Sequence, residues 1–62
     1  MIINKNTKIK DIIKKYSNIN WSVESFNGLE YIIEYCKHNN EEVELFFKDN
    51  KPFVKFGGES EI

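Results

Sequence analysis

The residues capable of chemistry are few in this chain, and their spacing restricts what they can do. Cys36 and His38 are the lone cysteine and the lone histidine. They cannot close a structural zinc site, which takes four ligands. As a thiol–imidazole nucleophile they would need side chains within hydrogen-bond reach, yet positions two apart on a helix point in different directions. Glu30 and Glu34 stack at i, i+4, and Glu41, Glu42 and Glu44 extend the acidic zone. Paired carboxylates perform acid–base work when their environments separate their pKa values. Here no phosphate-cradling glycine loop, Ser–His–Asp set or metal-spaced cluster accompanies them. Glu30 and Glu34 therefore read as a solvated acidic rim suited to a basic partner. No catalytic residue, metal ligand or cofactor is assigned.

The elements that must position these groups follow from hydrophobic period. Ile9, Ile12, Ile13 and Tyr16 fall at i, i+3, i+4 and i+7, one stripe of an amphipathic helix, with Thr7 as its expected N-cap. Lys8, Lys10, Lys14 and Lys15 take the other faces. A second helix is expected from Leu29 to about His38, with Phe26, Leu29, Ile32, Ile33 and Cys36 on one third of its circumference. Its start has two solutions. Ser22 could cap it, leaving Gly28 inside at a cost of about 1 kcal/mol. Asn27 could cap it instead, with Glu30 three residues on and residues 21–26 as a separate strand or turn; the later start is preferred. His38-Asn39-Asn40 ends the helix, since Asn tolerates the left-handed cap. Met1-Ile2-Ile3 reads as a short strand or an apolar arm.

The segment from Glu42 onward can be tested by pairing. With Asp49-Asn50 at the centre of a two-residue turn, Phe47 faces Pro52, Phe46 faces Phe53, Leu45 faces Val54, Glu44 faces Lys55 and Val43 faces Phe56. Side chains alternate along a strand, so one face carries Val43, Leu45, Phe47, Val54 and Phe56. The other carries a Phe46–Phe53 pair and a Glu44–Lys55 pair, both favourable across strands. A rival reading makes residues 41–49 a third helix, but it leaves Phe53-Val54-Lys55-Phe56 nothing to pair with. Pro52 cannot donate to a ladder and marks its strand end as an edge.

Length and composition bound the function. Sixty-two residues make one domain, which buries about 60% of the surface its unfolded chain exposes. Small domains compensate with disulfides, metals, partner subunits or dense aromatic packing; one cysteine excludes an internal disulfide, and 15% aromatic content favours the last. No stretch reaches the roughly 20 apolar residues of a membrane span, and no secretory leader is visible at the N-terminus. A cytoplasmic location is expected, with the Asn20-Trp21-Ser22 sequon unglycosylated. Residues 1–20 hold five Lys and one Asp, whereas residues 21–62 hold four Lys and nine acids. Arg, Ala and Gln are absent, while Lys, Asn and Ile fill 26 positions. That bias is the mark of an AT-rich bacterial or phage genome. Nucleic-acid recognition usually recruits Arg, so the lysines of the first helix give only a third-ranked reading as a nucleic-acid accessory domain.

The opening Ile3-Asn4-Lys5-Asn6-Thr7-Lys8-Ile9-Lys10-Asp11-Ile12-Ile13-Lys14-Lys15-Tyr16 resembles the start of a small helical domain of unknown function. That domain occurs in low-GC bacteria and archaea, sometimes ahead of the hemerythrin-like part of iron–sulfur cluster repair proteins. Its first helix is similarly Thr-capped and ends in Lys-Tyr, normally followed by Pro, where this chain has Ser17. The cysteines many members carry after the second helix are missing here. The resemblance covers about a quarter of the chain, implies an all-helical fold and transfers no functional residue.

The expected architecture is α+β: two helices packed on a C-terminal antiparallel hairpin, with or without a short N-terminal strand beside it, and with a small all-α bundle as the alternative. Residues 1–58 form the domain and residues 59–62 a flexible tail. The expected function is a non-catalytic protein-binding module, a regulator or inhibitor of a larger protein. Phe46 and Phe53 would anchor the partner, Glu44 and Lys55 flank them, and Glu30 and Glu34 form the rim. The alternative is a homo-oligomer, the simplest being a homodimer, in which the same aromatics are self-buried.

Overall fold

A computed structural model describes all of residues 1–62. The chain runs β1 (Ile2–Ile3), α1 (Ile9–Lys15), α2 (Val23–Asn39), β2 (Val43–Lys48), β3 (Lys51–Lys55) and β4 (Glu59–Glu61). The strands form one antiparallel sheet in the order β1-β2-β3-β4. The fold is thus α+β, and neither the all-α alternative nor the all-helical fold implied by the N-terminal resemblance is observed.

The central hairpin has the register that alternation dictates: Glu44 opposite Lys55, Leu45 opposite Val54, Phe46 opposite Phe53, and Phe47 opposite Pro52. Asp49 and Asn50 both take positive φ, 51° and 62°, as a turn matched to strand twist demands. The ladder stops at Lys55. Phe56 does not pair with Val43; it turns its ring edge-on to Tyr35, centroids 4.6 Å apart. Val43 pairs instead with Ile3 of β1.

Three boundaries differ from expectation. The helix α1 begins at Ile9, and Lys8 at its N-cap makes no side-chain bond. Thr7 Oγ1 is engaged one turn earlier, accepting from the Asn4 backbone N–H at 2.9 Å, so it closes the turn that leads from β1 into α1. The helix α2 starts at Val23, six residues before the preferred reading. Ser22 caps it, Oγ accepting from the Ser25 N–H at 3.0 Å, and Trp21–Phe26 contains no strand. The third difference explains the second. Residues 59–61 are not a tail but strand β4, paired with β3, and Ile62 folds back onto α2. A Cβ on Gly28 would stand 3.1 Å from Ile62 Cβ. A glycine inside the helix costs about 1 kcal/mol in propensity, and here it clears the space in which the last residue packs. Ser25 Oγ fixes that contact by donating to the Ile62 carbonyl oxygen at 2.9 Å.

Both helices cover the same face of the sheet. Ile12 of α1 and Leu29, Ile32, Ile33 and Cys36 of α2 enclose Ile3, Val43, Leu45 and Val54 in one buried cluster. Phe47 extends it, its ring 4.6 Å from Tyr16 and 5.9 Å from Trp21. The Trp21 Nε1–H donates to the Tyr16 carbonyl, which ties the α1–α2 connection to this aromatic corner. Phe26, placed by periodicity on the core stripe, is 40% exposed instead. In the first turn, which Ser22 caps, Ser25 rather than Phe26 continues the buried line of Leu29, Ile32 and Cys36. Asn40 closes α2 in the left-handed conformation, its N–H bonded to the Cys36 carbonyl.

Candidate functional site

With both helices on one side, the other side of the sheet has no cover. Alternation places Ile2, Glu44, Phe46, Lys48, Lys51, Phe53, Lys55, Glu59 and Glu61 on this open face. Its centre is the Phe46–Phe53 pair, on the two inner strands, with ring centroids 5.8 Å apart and planes inclined by 23°. Both rings are half-buried. The N-terminal arm does not lie over them. It is spent as β1, hydrogen-bonded along the edge of β2 through Met1 and Leu45, because that pairing satisfies backbone groups while burying Ile3.

The charges around the pair are arranged unevenly. Lys48 and Lys51 are cross-strand partners at the turn end, a like-charge opposition that costs stability. Lys48 leans away from it. Its ammonium lies 5.6 Å from the Phe46 centroid and 5.2 Å from that of Phe53, and hydrogen-bonds Glu59 of β4. The bond from Lys48, then its charge, hold the Glu59 carboxyl below the usual carboxylate range. Glu61 stands directly across from Phe53, and Glu44 directly across from Lys55.

The expected site residues thus divide into two groups. Phe46, Phe53, Glu44 and Lys55 share the open face. Glu30 and Glu34 do not join them: they are exposed residues of the helical layer, lining a shallow groove with Thr7, Lys8 and Ile9 at the start of α1. The stripe that buries α2 faces the sheet's inner side, so no side chain of that helix reaches the outer one. Glu34 instead pairs with Lys37 one turn along, at 3.2 Å. Lys48, Glu59 and Glu61 belong to the face but were not singled out from sequence. The parity of Lys48 with Phe46 was the available signal; the all-polar Glu59-Ser60-Glu61 offered none beyond the Gly57-Gly58 turn ahead of it.

Cys36 is fully enclosed, its thiol directed at the Ile3 carbonyl at 3.6 Å. Burial, reinforced by Glu41 and Glu42, pushes its pKa up, the opposite of what a nucleophilic thiolate requires. His38 is exposed near the end of α2. No three His, Cys, Asp or Glu side chains converge to hold a metal, and no helix is long and apolar enough to cross a membrane. The arrangement defines an α+β domain with a one-sided sheet and an aromatic open face. No family model, curated protein or solved structure matches the chain.

Proposed function

We propose that this chain is a small protein-binding module without catalytic activity, a regulator or inhibitor that docks through the open face of its sheet onto a larger bacterial or phage protein. The observation that supports this reading is the Phe46–Phe53 pair, half-buried at the centre of a face that no helix, loop or terminus covers. Antiparallel sheets often leave one side to solvent, but that side is then polar. Paired aromatic rings with a polar surround have instead the composition of an interface centre, where rigid rings desolvate and charges form the rim.

The experiment is affinity capture from a bacterial host lysate with the native chain and with Phe46→Thr/Phe53→Thr. Threonine keeps strand propensity and removes the rings. A partner retained by the native chain and lost by the folded double variant is the expected result. Equal capture by both would overturn the reading. Light scattering over a concentration series separates the homodimer: a mass that doubles with concentration, and reverts in the double variant, would assign the face to a second copy.

A further inference from the structure

The open face already holds a cation of its own. The Lys48 ammonium lies over both phenylalanine rings, 5.6 and 5.2 Å from their centroids, and is anchored by the Glu59 carboxylate. Ring faces carry negative quadrupole charge and attract ammonium and guanidinium groups at this range. The position is defined by side chains on three strands: Phe46 on β2, Phe53 on β3 and Glu59 on β4. Both ends of the Lys48–Glu59 tie are about half exposed, 53% and 49%, so water screens it and a competing cation can replace it. Two further carboxylates on the face, Glu44 and Glu61, form no ion pair. Lys51 and Lys55 share the face, with Lys51 at the turn end and Lys55 in register between Glu44 and Glu59.

We propose, resting on the docking role above, that the open face receives a lysine or arginine side chain of its protein partner over the Phe46 and Phe53 rings, in the place Lys48 now fills, with Glu59 and Glu61 as its counter-charges. Lys48 is then an internal placeholder. It shields the rings in the free protein and swings toward solvent when the partner's cation arrives. The partner presents at least one cationic side chain, which meets three carboxylates of this face, Glu44, Glu59 and Glu61, once Lys48 has moved aside from its place beside Lys51 and Lys55.

The test is a titration of the full chain with octalysine at low salt, followed through the aromatic ring resonances of Phe46 and Phe53, with fully Nε-acetylated octalysine as control. Octalysine is expected to move both ring signals and the acetylated peptide to move neither. Lys48→Met keeps the aliphatic cover but vacates the cation position, and it should tighten octalysine binding about fivefold, the scale of one exposed cation–π contact. Glu59→Gln should weaken it. Phe46→Leu/Phe53→Leu, which removes the rings and no charge, should reduce binding to the level of general electrostatic attraction.

Affinity unchanged in Lys48→Met and Glu59→Gln, or ring signals that respond equally to the acetylated peptide, would overturn the cationic occupant. So would ring signals that move with oligothymidylate but not with octalysine, which would assign the face to single-stranded nucleic acid. Lysate capture that depends on Phe46 and Phe53 while octalysine fails would overturn this inference and leave the docking role standing. Capture indifferent to both rings would remove the docking role itself.

Discussion

Lys48 of β2 reaches across the whole width of β3 to hydrogen-bond Glu59 of β4, passing over the Phe53 ring on the way. The contact links two strands that are not neighbours in the sheet and ties the short last strand to the hairpin. Lys48 is thereby drawn away from Lys51, its like-charged cross-strand partner.

The tie depends on pH in a defined direction. Lys48 holds the Glu59 carboxyl below its ordinary value, so the folded state favours the ionised form. Its contribution is complete above the unfolded carboxylate pKa and is lost as pH falls through the lower, folded-state value. Nuclear magnetic resonance titration of the glutamate carboxyl carbons should show Glu59 with a midpoint below the ordinary glutamate value. In Lys48→Met that lowering should shrink, because its first and largest cause is removed while the Lys55 charge remains.

The two faces of the hairpin should respond differently to truncation. Leu45 is 1% exposed and packed between sheet and helices, so Leu45→Ala should cost about 2–5 kcal/mol, enough to unfold much of a domain this small. Phe46→Thr on the open face should cost only about 1 kcal/mol, the loss of a cross-strand aromatic pair. Urea denaturation of the two variants checks the contrast. Equal losses would mean that the Phe46 side is core.

Cys36 should be chemically silent in the folded protein. A buried thiol with a raised pKa presents almost no thiolate, so its reaction with a disulfide reagent should proceed only through unfolding. The rate should rise with urea in parallel with the unfolded fraction. Reaction in native buffer at the rate of a free thiol would contradict the enclosed position.

Two local substitutions test the backbone signals. Asn50 sits at φ 62° in the hairpin turn, where glycine carries no Cβ penalty, and Asn50→Gly should stabilise by roughly 0.5–1 kcal/mol. Ser22→Ala should cost about 1 kcal/mol by leaving the Ser25 N–H without its cap. Thermal melts resolve both, since about 1 kcal/mol moves the midpoint of a domain this size by several degrees. Thr7→Ala provides the comparison: its hydroxyl binds the Asn4 N–H rather than a helix terminus.

The elements nearest one another in sequence were legible without the structure. The pairing of Phe46 with Phe53 and of Glu44 with Lys55 follows from alternation about Asp49-Asn50, because a two-residue turn fixes register and period two fixes faces. The stripes Ile9–Ile12–Ile13 and Leu29–Ile32–Ile33–Cys36 likewise follow from helical period. Docking both helices on the Val43/Leu45/Val54 side leaves Phe46 and Phe53 on the open one.

Longer-range contacts decided the rest. Propensity alone argues against Gly28 inside a helix, and only the approach of Ile62, thirty-four positions later, supplies a use for the missing side chain. The same approach turned residues 59–61 from an apparent polar tail into β4, since Glu59, Ser60 and Glu61 carry no apolar alternation to announce a strand. Their place comes from the β3 edge and from Lys48. Glu30 and Glu34 were separated from the aromatic pair for a related reason: a sequence gives the angle of a residue about its own helix, whereas the side of the sheet that helix covers is set by which apolar surfaces meet. Sequence by itself determined the hairpin, its register from Glu44–Lys55 to Phe47–Pro52 and the composition of each face over that span, but not the place of Phe56. Tertiary packing determined that one face stays open, that Lys48 lies across its rings, and that Glu59 holds it there.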